Sequence, residues 1–371
     1  MYQAWAEDTM KRILNKLDKT APEMSTFPHV CKEGNYDNAA PRWWTNGFWT
    51  GILWMAYQQT EDKKFAEIAQ NVEDAMAHVL DEYYEVDHDL GFLWQLSAGA
   101  NYSITGNEEA KRRMLKAASY LASRFNLAGN FIQAWNSHDG WAIVDCTMNL
   151  PLLYWASEET GNPRFRHIAQ AHAYTVVDYF VRPDGSVNHI CSFDPETGEF
   201  IEPFGGQGHA PDSAWSRGAS WVLYGLPLSY RFTGEEEFLT TAKKVAHFYL
   251  ANLPEDHVAH WDFRVERTPE TPRDTSAAAC GACGLLEIAK HVPENEKAFY
   301  TDAAYKILKS LTDNYANLDN DEQCILREGT GHLPAGQNIN VGLIYGDYYY
   351  VEGISRLMGN DKILEYGPNF K

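Results

Sequence analysis

The sequence predicts an all-α protein: an (α/α)6 barrel, six helical hairpins closed into a toroid, with a small β-hairpin insertion on the active-site rim. Two observations carry this. One junction recurs along the chain, an aromatic-rich helix, a short polar turn, then an amphipathic helix. The two helices flanking it differ in kind, the first apolar round most of its circumference and the second along one stripe. A helix apolar all round is buried, and one with a single stripe lies at the surface, so each hairpin has an inner and an outer member. Length alone, 371 residues at roughly 150 per domain, would suggest two domains. A recurring supersecondary unit is the stronger evidence, and it predicts one domain over 1–371.

The opening helix, about Gln3 to Leu17, is expected to be the outer partner of the last inner helix, closing the ring. The first inner helix is Gly47-Phe-Trp-Thr-Gly-Ile-Leu-Trp-Met-Ala-Tyr57. After the junction Tyr57-Gln-Gln-Thr-Glu-Asp-Lys-Lys-Phe65, the residues Phe65, Ile68, Ala69, Val72, Met76, Val79 and Tyr83 keep the i, i+3, i+4, i+7 rhythm. The second junction is Tyr102-Ser-Ile-Thr-Gly-Asn107. The third, Ser157-Glu-Glu-Thr-Gly-Asn-Pro-Arg-Phe165, separates the apolar run Cys146 to Ala156 from the stripe Phe165, Ile168, Ala169, His172, Val176 and Tyr179. Between Arg182 and Ser213 the rhythm breaks. There Gly185 to Phe193 alternates, Asp194-Pro-Glu-Thr-Gly198 turns and Glu199-Phe-Ile-Glu202 returns, a β-hairpin followed by Gly205-Gly-Gln-Gly-His209. The fourth junction is Tyr230-Arg-Phe-Thr-Gly-Glu-Glu-Glu-Phe238, a weaker copy runs His291-Val-Pro-Glu-Asn295, and Leu357-Met-Gly-Asn-Asp361 ends the series. In several copies Gly stops one helix, and an acidic or Pro-containing turn starts the next.

Charge narrows the function. With 51 acidic against 31 basic residues the chain carries −20, which repels phosphate backbones and anionic membrane surfaces, so neither nucleic acid nor membrane is an expected partner. No apolar stretch approaches the ~18 residues of a membrane helix. Met1 to Arg12 has no apolar core of a secretory leader. Six scattered cysteines in such a chain read as free thiols of a reducing compartment, and a cytoplasmic protein is expected. Cys280 and Cys283 form C-x-x-C inside a run of small residues with no second pair, and are read as packing residues.

The chemistry-bearing residues concentrate in the loops that enter the inner helices. These are Pro41 to Gly47, Asp87 to Phe92, Gln133 to Asp145, Gly206 to Arg217, His260 to Asp274 and Ile344 to Asp347. In a toroid all of these open on one rim. Tryptophans that stack on sugar faces, with carboxylates and histidines for hydroxyls, suit a carbohydrate. Trp49 and Trp54, within a helix, are assigned to barrel packing; Trp44, Trp135 and Trp221 to the pocket. Asp274 precedes Thr275-Ser276 and reads as an N-cap worth ~1 kcal/mol. Asp145, beyond Trp135 and Trp141, is expected to be desolvated into a general acid. Asp89, before Gly91 at a helix start, is expected to be ionised. Two carboxyls pushed apart in pKa are the pattern of glycoside chemistry. No phosphate loop, nucleophile elbow or zinc-protease motif is present.

At these residues the chain resembles a known family. Trp44-Thr-Asn-Gly-Phe-Trp-Thr-Gly-Ile-Leu-Trp54, His88-Asp-Leu-Gly-Phe92, Ile143-Val-Asp-Cys-Thr-Met-Asn-Leu-Pro-Leu-Leu153, Trp215-Ser-Arg-Gly-Ala-Ser-Trp221 and Tyr345-Gly-Asp-Tyr-Tyr-Tyr350 look like the unsaturated glucuronyl hydrolases, glycoside hydrolase family 88. The resemblance covers about Trp44 to Leu357. It implies an (α/α)6 barrel that removes the 4,5-unsaturated uronic acid from the non-reducing end of lyase-generated oligosaccharides, with no metal or organic cofactor. It implies hydration of the C4=C5 bond, with Asp145 as acid and then base and Asp89 as the second essential carboxyl. His88, which the motif holds beside Asp89, His189, Gln207, Trp44, Trp135, Arg217 and Trp221 would line the uronate pocket, Arg217 holding the substrate carboxylate. Asn46 stands where many members have Asp, and Gly206 where some have His. The motif W-x-R-G-x-x-W is shared with unsaturated rhamnogalacturonyl hydrolases, the runner-up reading, which Asp89 argues against. A non-catalytic sugar-binding toroid is the third. The sequence carries no signal of oligomeric state.

Overall fold

A computed structural model describes residues 2–360; Asp361, the end of the last predicted junction, lies outside them. The inner helices are α2 (Asn46–Thr60), α4 (Leu90–Trp94) with its continuation α5 (Ala100–Thr105), α7 (Leu150–Thr160), α9 (Ser216–Thr233), α11 (Thr275–His291) and α13 (Ile344–Leu357). The outer ones are α1 (Tyr2–Thr20), α3 (Lys63–Met76), α6 (Glu108–Ser123), α8 (Pro163–Thr175), α10 (Glu236–Ala251) and α12 (Glu294–Ser310). Each inner helix packs on the next, α13 returns to α2, and α1 lies against α13, so the ring closes as the repeat predicts.

The junctions work as their sequences dictate. Chain reversal needs a residue in the left-handed region, and Glu61, Gly106, Gly161 and Gly234 supply it at φ 57°, 71°, 67° and 71°. The next helix is then capped: Asp62 accepts the amide of Lys64, Asn107 those of Glu109 and Ala110, and Asn162 that of Arg164, with Pro163 in the first turn. Inner helices are buried all round; α2 is so from Asn46 to Ala56 and α9 from Ser216 to Ser229. Outer α3 buries Phe65, Ala69, Val72 and Met76, the stripe read from the sequence.

The C-x-x-C run is packing. All six cysteines are free and buried, and Gly284, beside Cys283, lets α11 approach α9 so closely that a Cβ there would fall 2.7 Å from the Leu223 carbonyl oxygen. His291 is structural too, its Nε2 2.9 Å from the buried Glu287 carboxylate, which Arg231 and Arg356 also hold.

The strands are richer than one hairpin. Short β1 (Val30–Lys32) and β2 (Asn35–Tyr36) follow α1; β3 (Phe125–Asn126) and β4 (Phe131–Ile132) pair with each other. The predicted hairpin is β6 (Ile190–Phe193) and β7 (Phe200–Phe204), joined by an unforeseen third strand, β5 (Trp141–Ile143). The segment β8 (Gly329–His332) and β9 (Gln337–Leu343) forms a second hairpin, and β9 pairs with β1, so the order is β2-β1-β9-β8. Both sheets stand on the rim from which the inner helices descend.

Candidate active site

On that rim an open cavity of about 1180 Å³ is lined by residues that immediately precede inner helices or lie on the two sheets. The loop into α2 brings Arg42, Trp43 and Trp44, and the loop into α4 brings Glu85, Asp87, His88 and Asp89. The stretch from β4 to the turn after β5 brings Trp135, Trp141 and Asp145. His189 leads into β6, Gly206 and Gln207 follow β7, and His332 ends β8.

Backbone clamps fix these side chains. The Arg124 guanidinium donates to the carbonyls of Val86, Gln133 and Ala134, tying the His88 loop to the Trp135 loop. The Asp262 carboxylate accepts the amides of His209 and Ala214 and the Ser213 hydroxyl, which pins the Gln207 loop. Trp44 packs on Phe48, Phe92 and Tyr345; Trp141 is stacked between His138 and Phe204, at 3.9 and 4.7 Å. Gly206 adopts φ +55°, and a Cβ there would fall 2.2 Å from His189 Nδ1, so glycine is what admits the imidazole.

The hydrogen positions follow from the partners. His88 Nδ1 lies 3.0 Å from the Ala134 oxygen, which can only accept, so Nδ1 carries the hydrogen. Burial lowers the pKa of His88 and keeps the ring neutral, leaving Nε2 bare, 3.2 Å from Asp89 Oδ1. A proton on the Asp89 carboxyl suits that contact. Burial first, then the charges of Asp87 and Asp145, push the Asp89 carboxyl well above its ordinary value, against Asn149 and Arg124. At Asp145 burial also pushes upward, but the facing histidines His189, first by hydrogen bonding, and His88, with the Arg217 charge, outweigh it, and the pKa is lowered. His189 Nδ1 lies 2.9 Å from the Gln207 amide nitrogen and 3.0 Å from the Gly205 carbonyl oxygen, and its Nε2 faces Asp145 Oδ1 at 3.6 Å.

The two carboxyls are therefore pushed apart, with the assignments opposite to the expectation. The helix start does not ionise Asp89, because its side chain makes no cap bond there; Asp87 Oδ1 accepts the Asp89 amide instead. At Asp145 the facing histidine, rather than the tryptophans, sets the direction of the shift. Asp87, His88 and Asp89 each offer a ligand atom within 4.8 Å of the others, but the hydrogen bonds just described account for their placement, and no metal is assigned.

Trp44, His88, Asp89, Trp135, Asp145, His189 and Gln207 come together as the sequence predicts. Arg217 and Trp221 do not reach the cavity. They are 1% and 0% exposed. Arg217 donates to Asp274, to the carbonyls of Thr330 and Gly331 and to Gln207 Oε1, so its guanidinium is engaged by the protein rather than open to a substrate. The Trp221 ring packs on Phe92 and Tyr349. Asp274 caps α11 by accepting the amides of Ser276 and Ala277, and beyond that it is the counter-ion of Arg217. Sequence reasoning missed Arg42, Glu85 and His332 as lining residues. Arg42 adjoins the Trp43-Trp44 pair and was legible; His332 is placed by the non-local pairing of β9 with β1 and was not.

Known proteins share this architecture. The model of Glycosyl Hydrolase Family 88 matches residues 5–360. An unsaturated glucuronyl hydrolase of Bacillus sp. (strain GL1) is 41% identical over 344 residues, 89% of this chain and 90% of that protein. An unsaturated chondroitin disaccharide hydrolase of Streptococcus pneumoniae (strain ATCC BAA-255 / R6) is 38% identical over 365 residues, 94% of this chain and 92% of that protein. A solved structure of an Asp-to-Asn variant of UGL with dGlcA-Glc-Rha-Glc superposes with a TM-score of 0.91 at 38% identity, covering 94% of this chain and 95% of that one.

Proposed function

The chain belongs to glycoside hydrolase family 88, and from that premise we propose that it removes a 4,5-unsaturated uronic acid from the non-reducing end of short oligosaccharides by hydrating the C4=C5 bond. The names of its relatives favour the glucuronyl over the rhamnogalacturonyl branch. The observation that carries the reading is the pair of largely buried carboxyls, Asp89 with its pKa raised and Asp145 with its pKa lowered, in a cavity walled by Trp44, Trp135, His88 and His189.

In this reading the proton on Asp89 passes to Asp145 as the substrate displaces water, and Asp145 delivers it to C4. The C4=C5 pair forms the new C–H bond, leaving positive charge shared by C5 and the ring oxygen. Asp145, ionised again, takes a proton from the water that attacks C5. The resulting hemiketal opens, and the remaining saccharide leaves with its own oxygen. Trp44 and Trp135 offer faces for the sugars, and His189 and Gln207 offer donors for hydroxyls. We infer that the whole chain is one catalytic unit of the cytoplasm, which its six free cysteines support; no helix among the described residues is long and apolar enough to cross a membrane.

The test is a substrate comparison in heavy-oxygen water. Unsaturated chondroitin disaccharide is consumed with loss of ultraviolet absorbance, and label enters at C5 of the uronate product. The saturated glucuronide of the same linkage stays intact. Rapid cleavage of the saturated compound, or label at the new reducing-end carbon, refutes hydration.

A further inference from the structure

Two loops hydrogen-bond to one buried amide. Asn149 is fully buried in the turn between Asp145 and α7. Its Oδ1 accepts the Phe92 amide at 2.7 Å, in the first turn of the helix that begins after Asp89. Its Nδ2 donates to the main-chain carbonyl of Asp145 at 3.2 Å. The same amide faces the Asp89 carboxyl and favours its ionised form. A group that accepts at one atom and donates at the next, as here, is what a carboxamide supplies. The fit is close on the opposite side as well: a Cβ on Gly91 would fall 2.5 Å from Asn149 Oδ1, so the glycine is what lets the two loops touch through this residue. Gln95 Nε2 adds a parallel tie to the carbonyl of Met148 at 3.1 Å.

We propose that Asn149 is the positioning residue of the site, holding the Asp89 loop and the Asp145 turn in register so that both carboxyls address one sugar ring. The inference rests on the reading of those two aspartates as the acid–base pair. It also has an electrostatic side. The groups facing Asp89 are Asp87, His88, Arg124, Asp145 and Cys146. Burial and the two acids hold its proton tightly, while the Asn149 N–H works in the other direction and keeps that proton transferable.

The test uses Asn149→Leu, close in shape but without polar atoms, and Asn149→Asp, which keeps size and polarity but cannot donate when ionised. In each variant kcat and KM are measured separately on unsaturated chondroitin disaccharide. The titration of Asp89 is followed by carbon NMR in the ligand-free protein, with its signal identified through Asp89→Asn. A misplacement of about 1 Å costs up to ~10²-fold in rate, so kcat is expected to fall by about that factor, with KM changing only a few-fold. The Asp89 titration is expected to move to higher pH in both variants. A merely structural residue would lower melting temperature without moving that titration. Wild-type kcat in a folded variant, or an unmoved Asp89 titration, overturns the proposal. Should Asn149→Leu fail to fold, Asn149→Asp decides by the same two readouts. If the wild-type protein does not turn over the disaccharide, the functional reading fails, whereas the NMR arm still decides whether Asn149 governs Asp89.

Discussion

The proton on Asp89 makes the pH dependence of kcat/KM diagnostic, because that parameter reads the ionisation of the free enzyme. In the free enzyme Asp145 titrates below its ordinary 3.8, and Asp89 well above it. Suppose the proton for C4 were drawn from solvent onto Asp145. The competent fraction would then fall tenfold per pH unit above the Asp145 pKa, so kcat/KM would drop about a hundredfold between pH 5 and pH 7. Suppose instead that Asp89 supplies it. The pair then keeps its one proton until Asp89 itself ionises, so the downward break comes at higher pH than the Asp145 pKa alone would set. The second behaviour is expected. The perturbation that separates the two is Asp89→Asn, which removes the reservoir and should move the break down to the Asp145 pKa. Initial rates at substrate well below KM, followed by ultraviolet absorbance at fixed ionic strength, measure both. A wild-type profile that breaks at the Asp145 pKa, or an unmoved break in Asp89→Asn, would refute the shared proton.

Asp145→Asn keeps shape but cannot cycle a proton, and kcat should fall at least ~10²-fold with the melting temperature preserved. Gly206→Ala drives a methyl against His189, 2.2 Å from Nδ1, and strains the positive φ; kcat should drop at least ~10-fold, and crystallography should find the imidazole displaced from Asp145. Arg217→Met leaves Asp274 buried without its counter-ion, and chemical denaturation should report a loss of ~3–5 kcal/mol. By the same pairing, Asp274→Ala should cost well beyond the ~1 kcal/mol of a lost N-cap, since it strands the Arg217 charge.

The helical frame was legible because its signals are local. A glycine in the left-handed region and an Asp or Asn two residues before a free amide announce a junction, and Gly106-Asn107 and Gly161-Asn162 are read correctly from four or five letters. The β-structure was legible only where it, too, is local. The hairpin Ile190 to Phe204 has its own turn, with Asp194 accepting the amides of Glu196 and Thr197. The pairing of Val30 with Leu343 joins residues more than 300 apart, and three-residue β1 has no alternation to betray it. His332 entered the cavity by that route.

The errors inside the site have a different origin. Arg217 and Trp221 stand four apart and so share a face of α9, but a sequence cannot say whether that face looks into the cavity or into the barrel below it. It looks below, and this changes how an acidic protein meets an anionic substrate. A guanidinium 1% exposed, with Asp274 and two carbonyls as its partners, is held below the cavity. What it does instead is lower the Asp145 pKa and hold the strand that presents His332. The cations that do line the cavity are Arg42, half-exposed and 2.9 Å from Glu85, and histidines that burial or their neighbours keep uncharged at His88 and His332. Side chains on the cavity wall that carry N–H groups, His189 and Gln207, are then the donors offered to a uronate. Such donors are fixed before the substrate arrives.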